Sequence, residues 1–279
     1  DPRLKEIISS LVTHLHNFAR DVKLTEEEWF YGIQYLTATG HKCTDVRQEF
    51  ILLSDVLGLS MLTIAMNQDK PPGCTEATVF GPFFLEDAPH YEHGDDVGNG
   101  AVGQPFLVRG TVRGLDGKPI AGATMEVWQA DANGLYDVQL PDYAHASARG
   151  ILKSGPNGEF HFRSILAESY PIPHDGPVGE MLIATNRHPW RPAHLHFMII
   201  AEGYETLTTH VFRNDDQYLD SDAVFGVREA LVGRYQNVAD PEACARLGLP
   251  GETVPVMLAL TMSTRPARRA VREMRSEER

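Results

Sequence analysis

Two histidines one residue apart, His194 and His196 in RPAHLHFMII (191–200), are the first residues whose spacing could do chemistry. In an extended segment, residues two apart point to the same face, so both imidazoles look one way and Leu195 and Phe197 the other. That arrangement suits one metal ion, but it equally suits two histidines that merely begin a strand. A carboxylate would complete the two-histidine, one-carboxylate face of Fe(II) oxygenases, and a third histidine would suit zinc. Glu202 is the nearest acid downstream, yet it lies in the turn-like AEGYE; His188 and His210 are the third-histidine candidates, and spacing favours neither.

Tyrosines are the other donors to consider. Tyr136 follows a turn in DANGLYD, and Tyr170 stands in ESYPIP, where the following proline holds it extended. A phenolate is a hard anionic oxygen donor that suits Fe(III) better than Fe(II) or zinc. Against this, most tyrosines simply pack the ring and leave the hydroxyl at a polar rim.

Taken together, Tyr136 in GLYD, Tyr170 in YPIP, and His194 and His196 in RPAHLHF resemble the iron-ligand series of the intradiol ring-cleaving dioxygenases in order and spacing. The similarity continues through GPFFLEDAP (81–89), PIAGATMEVWQADANGLYD (119–137) and DGPVG (175–179), and so covers nearly the whole chain. It implies one Fe(III) per subunit held by Tyr136, Tyr170, His194 and His196, with a hydroxide beside them. Two phenolates and a hydroxide neutralise a trivalent ion, so the centre could sit in a low-dielectric pocket without a net charge to desolvate. The implied reaction uses O2 to cleave an aromatic ring between two adjacent hydroxyl-bearing carbons. Tyr170 would accept a substrate proton, and the Arg191 guanidinium would face the ring and stabilise its developing negative charge. His210 departs from the catechol-cleaving pattern, which carries Gln at that offset; a hydrogen bond to Arg191 or to the oxygen site is its expected role.

A second layer of resemblance concerns the substrate. Leu52, Asp55, Val79, Phe80, Gly81, Pro82, Phe83, Ile172, Pro173 and Val224, with Arg191, resemble the pocket of hydroxyquinol 1,2-dioxygenases more than that of plain catechol enzymes. Asp55 is the telling residue, because an acid on an otherwise apolar helix needs a partner. The third hydroxyl of benzene-1,2,4-triol would be one; a backbone N–H or Arg47 would be another. The implied product is 3-hydroxy-cis,cis-muconate, the tautomer of maleylacetate, with catechol or a chlorocatechol as the alternative substrate. A different class also competes: VRGTVRGLDGKPIAGATMEVW resembles non-enzymatic transthyretin-like β-sandwich modules, which would need none of the four donors.

These residues require a scaffold. Leu4, Ile7, Ile8, Leu11, Leu15 and Phe18 recur at spacings of three and four, as on one face of a helix. EEEWFYGIQYLTA predicts a second helix, and VRQEFILLSDVLGLSMLTIAM a third, apolar nearly all round and expected to be buried, against a second subunit if not within the chain. After Pro71 and Pro72 the texture becomes short runs rich in Val, Phe and Thr between Gly, Pro and Asp. FLVRGTVRGLDGKPIAGATMEVWQAD reads as two strands about a DG turn, and GEFHFRSIL, MLIAT, HLHFMII, TLTTHVF and VPVMLAL as further strands. The expectation is a mainly β protein: a helical region over 1–95 and a β-sandwich catalytic domain over 96–279. The family resemblance implies a homodimer joined through the helical region, with a phospholipid held there.

Composition limits the partners. A formal charge of -13 opposes binding to nucleic acid or to anionic membranes. The one basic stretch, 265–279, carries six Arg against three Glu and reads as a solvated tail. No apolar run approaches the ~20 residues needed to span a bilayer. Three scattered cysteines with no CxxC pair argue against a zinc knuckle or a disulfide framework and point to a reducing, cytoplasmic setting.

Overall fold

The computed structural model describes residues 1–264, apart from 45–46, 69, 141–144, 234, 239–240, 247–248, 250–253 and 258–259. The Arg-rich stretch 265–279 lies outside the described residues.

Four helices open the chain: α1 Pro2–Asp21, α2 Glu26–Lys42, α3 Glu49–Val56 and α4 Leu59–Asn67. The first is started by Asp1, whose carboxylate accepts from the backbone of Arg3 and Leu4, with Pro2 at the first turn. The second begins with a reciprocal Thr25–Glu28 capping box. The single third helix expected from sequence is instead two, α3 and α4, bent by 77°. Gly58 between them adopts φ 76°, a left-handed conformation that ends one helix and that other residues resist. The expectation of burial also fails within one chain. Val56 and Met61 are buried, but Phe50, Ile51, Leu57, Leu59, Leu62 and Met66 are exposed. No single helix among the described residues is long and apolar enough to cross a membrane.

The remainder is rich in sheet. Strands β1 Pro105–Gly114, β2 Thr124–Gln129, β3 Arg149–Lys153, β4 Glu159–Ile165 and β5 Tyr170–Pro171 precede helix α5 Pro177–Ala184. Then come β6 Trp190–Arg191, β7 His194–Ile200, β8 Leu207–Arg213, β9 Val232–Gly233 and β10 Tyr235–Val238, followed by α6 Pro241–Arg246, β11 Val254–Met257 and β12 Leu260–Thr264. One five-stranded sheet is built around β1, antiparallel to β4 on one side and parallel to β11 and β12 on the other, with β10 beyond β11. The other runs β3-β2-β7-β8-β9, and β5 pairs with β6 alone.

Two expectations are corrected here. MLIAT is not a strand: its first four residues finish α5, which Pro177 begins and whose Val178 and Leu182, four apart, are buried. A five-residue apolar run has no period long enough to separate strand from buried helix. The DG turn does form, with Gly117 N donating to Gly114 O at 2.9 Å and Gly114 N to Lys118 O at 2.9 Å. Yet β1 and β2 do not pair as a hairpin and join different sheets. Pairing stops after the isolated Arg113–Pro119 bridge and the Ile120 N to Val112 O bond of 3.0 Å, because Val112 N turns instead to Gly158 O at 2.7 Å.

Apolar residues of both sheets, including Phe106, Val108, Phe160 and Phe162 from one and Met125, Val127, Phe197 and Ile199 from the other, form one buried cluster. A second cluster joins Val56 and Met61 of the helices to Trp128, Tyr136, Tyr170, Ile172, Val178, Leu182 and Val224. The candidate site lies in this second cluster, where helices meet sheet.

Candidate metal centre

His194 and His196 both lie on β7, a central strand flanked by β2 and β8. The ladders set their neighbours: His196 stands opposite Trp128 on one side and His210 on the other. Trp128 lies flat against the His196 ring at 4.6 Å and 16°. Tyr170 is brought in by the short β5–β6 ladder, in which it pairs with Arg191. Tyr136 follows the DANG turn, whose Asp131 carboxylate accepts from the backbone of Asn133 and Leu135. Gly134 in that turn has φ 75°, and a Cβ there would lie 2.9 Å from the Tyr170 Cβ, so the turn also admits Tyr170.

All four predicted donors are buried and converge. Tyr136 Oη is 2.8 Å from His196 Nε2 and 3.4 Å from Tyr170 Oη, and the two histidine Nε2 atoms are 3.1 Å apart. Adjacent ligands on one ion, with bonds of about 2.0–2.1 Å, must approach one another to about 3 Å, so these separations fit a shared metal. His194 Nδ1 donates to Pro192 O at 2.7 Å, which leaves Nε2 with a lone pair facing the others. Burial, then Arg191, pushes His194 down to about 3. Burial likewise holds His196 well below its ordinary value, so both imidazoles are neutral, the form that binds a metal. Burial pushes the Tyr136 phenol well up, with Tyr170 adding to it, and a bound cation would reverse that.

Arg191 is brought beside two of these donors. Its Nη1 is 3.4 Å from Tyr170 Oη and 3.3 Å from His194 Nε2. Burial opposes its charge, but Asp222, together with Tyr170 and Tyr136, outweighs burial and holds the guanidinium protonated. His210 is fully buried, its ring 4.5 Å from that of His194 and 4.1 Å from that of His196. Its polar neighbour is the backbone of Val79, at the limit of hydrogen-bonding geometry, and it does not make the expected bond to Arg191. His194, His196 and His210 offer nitrogens within 4.8 Å of one another. The other ligand candidates are elsewhere: His188 accepts from Trp190 N at 3.1 Å against the Tyr218 ring, and Glu202 is exposed in a turn.

Of the predicted substrate residues, Leu52, Val79, Phe83, Ile172 and Val224 pack in the same cluster as Tyr136 and Tyr170. Phe83 stacks on Tyr136 at 4.4 Å, and Gly81 lies against His196. Phe80 packs on Phe84 and Trp128 but is exposed on its other side; Pro82 is exposed and Pro173 half-buried. Asp55 is buried at the end of α3. Burial pushes its carboxyl up, while Ser60 and then Arg191 partly offset this. Arg47 is engaged with Glu49 and Asp175.

Several contributors carry no signal in sequence. Asp216 accepts from Ser169 Oγ and from Ala193 N at 2.7 Å, fixing the residues just before Tyr170 and His194. Asp137, next to Tyr136, forms a buried ion pair with Arg149. Asp222 pairs with Arg191 through two bonds of 3.0 and 3.2 Å. A buried arginine demands an acid, but 38 acidic residues are available to supply it.

Comparison with known proteins places the chain in a family. The family profile described as "Catechol dioxygenase N terminus" matches residues 1–75, and that described as "Dioxygenase" matches residues 79–249. The chain is 68% identical over 238 residues to 6-chlorohydroxyquinol 1,2-dioxygenase of Cupriavidus pinatubonensis, covering 85% of this chain and 86% of the relative. It is 54% identical over 236 residues to hydroxyquinol 1,2-dioxygenase of Nocardioides simplex, covering 85% and 80%. The solved hydroxyquinol 1,2-dioxygenase of Pseudomonas putida DLL-E4 superposes with a TM-score of 0.89 at 48% identity, over 96% of this chain and 93% of that one. The fold is that of a dioxygenase. The chain belongs to the intradiol ring-cleavage dioxygenase family, and it is an enzyme.

Proposed function

We propose that this enzyme is a hydroxyquinol 1,2-dioxygenase, which cleaves benzene-1,2,4-triol between its adjacent hydroxyl-bearing carbons and places both atoms of O2 in 3-hydroxy-cis,cis-muconate. The observation that carries the reading is the convergence of two phenols and two imidazoles, with Tyr136 Oη 2.8 Å from His196 Nε2 and the histidine Nε2 atoms 3.1 Å apart. Tyr136, Tyr170, His194 and His196 would hold one Fe(III) per subunit, the two phenol oxygens supplying the anionic charge that a trivalent ion favours. Ferric iron bound there would draw electron density from a coordinated diolate and so make its ring reactive toward O2.

The chain's own residues do the rest. Arg191, buried and permanently charged, lies beside Tyr170 and His194, where it can stabilise negative charge on a ring held among them. Tyr170 is the group that would take a substrate proton. Leu52, Val79, Phe83, Ile172 and Val224 form an apolar wall that would orient the ring and exclude water, with Phe80, Gly81, Pro82 and Pro173 along its border. Asp55 would accept a hydrogen bond from the third hydroxyl, the feature that separates the triol from catechol. His210, fully buried against the His194 and His196 rings, would donate to an oxygen held beside them.

The two sheets, sharing one apolar cluster, support a β-sandwich for the catalytic part, with the helical region before it. The exposed apolar faces of α1 and α2, among them Leu4, Ile8, Leu11, Phe18, Trp29 and Ile33, fit pairing of two copies with a phospholipid between them. With three cysteines in 279 residues, the chain suits the cytoplasm. The test is product analysis under 18O2: two labelled atoms in a ring-opened dicarboxylate support the proposal, and a single labelled atom or an intact ring refutes it.

A further inference from the structure

Asp222 is the one buried acid bonded to Arg191 among the described residues, and it contacts none of the candidate ligands' donor atoms. Its Oδ1 accepts from Arg191 Nε at 3.0 Å and from Val224 N at 3.2 Å; its Oδ2 accepts from Arg191 Nη2 at 3.2 Å and from Gly226 N at 2.9 Å. One edge of the guanidinium is thus fully used by the carboxylate. What remains is Nη1, directed at Tyr170 Oη and His194 Nε2 at 3.4 and 3.3 Å. A planar fork held along one edge has little rotational freedom, so the direction of Nη1 follows from the carboxylate.

The loop that carries Asp222 is itself fixed. A Cβ on Gly226 would lie 2.9 Å from Arg191 Nη2 and 3.0 Å from Asp222 Oδ2, so bare backbone closes the outer side of the pair. Thr78 Oγ1 donates to Gly226 O at 3.2 Å. Arg187 donates to Ala223 O at 3.1 Å and to Val56 O at 2.6 Å, tying this loop to the end of the helix that bears Asp55. Burial pushes the Asp222 carboxyl up, and Arg191 overrides this and holds it below its ordinary value, so the pair is charged on both sides.

We propose that Asp222 is the positioning residue of the reaction: it orients the Arg191 guanidinium toward the reacting ring and supplies the countercharge that keeps it ionised while buried, without touching substrate or metal. The proposal rests on the role given to Arg191 above. Asp222→Asn keeps the shape and one acceptor, but turns an N–H toward Arg191 Nη2 and removes the countercharge. The expected result is a kcat for hydroxyquinol about 10- to 100-fold lower, with KM within about threefold and iron content unchanged. A crystal structure of the variant should show Arg191 Nη1 withdrawn from Tyr170 and His194.

The decisive comparison is with Arg191→Gln. If Asp222 acts through Arg191, adding Asp222→Asn to Arg191→Gln lowers kcat by less than about threefold more. Multiplicative losses, or an undisturbed Arg191 in the crystal, overturn the proposal. If Arg191→Gln alone leaves kcat intact, the role of Arg191 fails and this proposal with it. Should Asp222→Asn alone not fold, the double variant, in which no unpaired charge is buried, carries the test. A kcat equal to that of Arg191→Gln supports the proposal, and one more than about tenfold lower refutes it.

Discussion

Tyr170 and Arg191 stand opposite one another in the β5–β6 ladder, with the arginine Nη1 3.4 Å from the tyrosine hydroxyl. A candidate ligand and the cation proposed to act on its substrate are therefore set by a single pairing register, and neither can shift along the chain without the other. The ladder is only two residues long on each side. Its ends are held from outside, by Asp216 on Ser169 and by Asp222 on Arg191.

The ligand set is separable by substitution. With iron supplied, the protein should be red-brown through phenolate-to-Fe(III) charge transfer, and Tyr136→Phe or Tyr170→Phe should lose most of that absorption or most of the iron. His210→Gln should keep both. The reverse pattern, with iron lost only in His210→Gln, would instead indicate a site built from His194, His196 and His210, which lie within 4.8 Å of one another.

Asp55→Asn should make the protein more stable and less selective. Burial raises the Asp55 carboxyl above its ordinary value of 3.8, so the folded state holds this proton more tightly than the unfolded chain. Its charge therefore opposes folding above the raised value, and that penalty disappears as pH falls through it toward 3.8. The variant should melt higher than the parent at pH 7, with the gap closing toward pH 4. Preference for hydroxyquinol over catechol, in kcat/KM, should fall about tenfold, roughly one hydrogen bond to a charged group. An unchanged preference would remove Asp55 from the substrate site.

Asp216 touches no ligand atom but fixes the residues before two of them. Partners one shell out from a metal typically change its affinity by about 10- to 100-fold. Asp216→Ala should weaken iron binding by that order in a competition with a chelator while the helical circular dichroism is kept. Unaltered retention of iron would show that the ladders alone suffice.

Gly134→Ala should cost about 1–3 kcal/mol of stability, because φ 75° strains an alanine and its Cβ would lie 2.9 Å from the Tyr170 Cβ. Chemical denaturation measures the loss. A neutral effect would mean that the DANG turn and Tyr170 separate freely.

The candidate site was more legible in the sequence than the fold around it. Ligand chemistry is carried by residue type, and two-residue alternation alone puts His194 and His196 on one face; the tyrosines gained meaning from their motifs. Asp216, Asp222 and Trp128 were illegible because they act through pairing and loop closure between segments distant in sequence, as Trp128 does opposite His196. The helix–turn–helix at Gly58 and the helix over Pro177–Ala184 were missed for a related reason. Apolar runs this short or this uniform are resolved by what they pack against, which periodicity does not contain.

Oxygen uptake by the iron-loaded protein, with hydroxyquinol and catechol supplied at equal concentration and autoxidation subtracted using heat-denatured protein, tests the central claim most directly. The account predicts one O2 consumed per hydroxyquinol, at a kcat/KM at least about tenfold above that for catechol. Faster turnover of catechol, or no enzyme-dependent uptake with the triol, would contradict it.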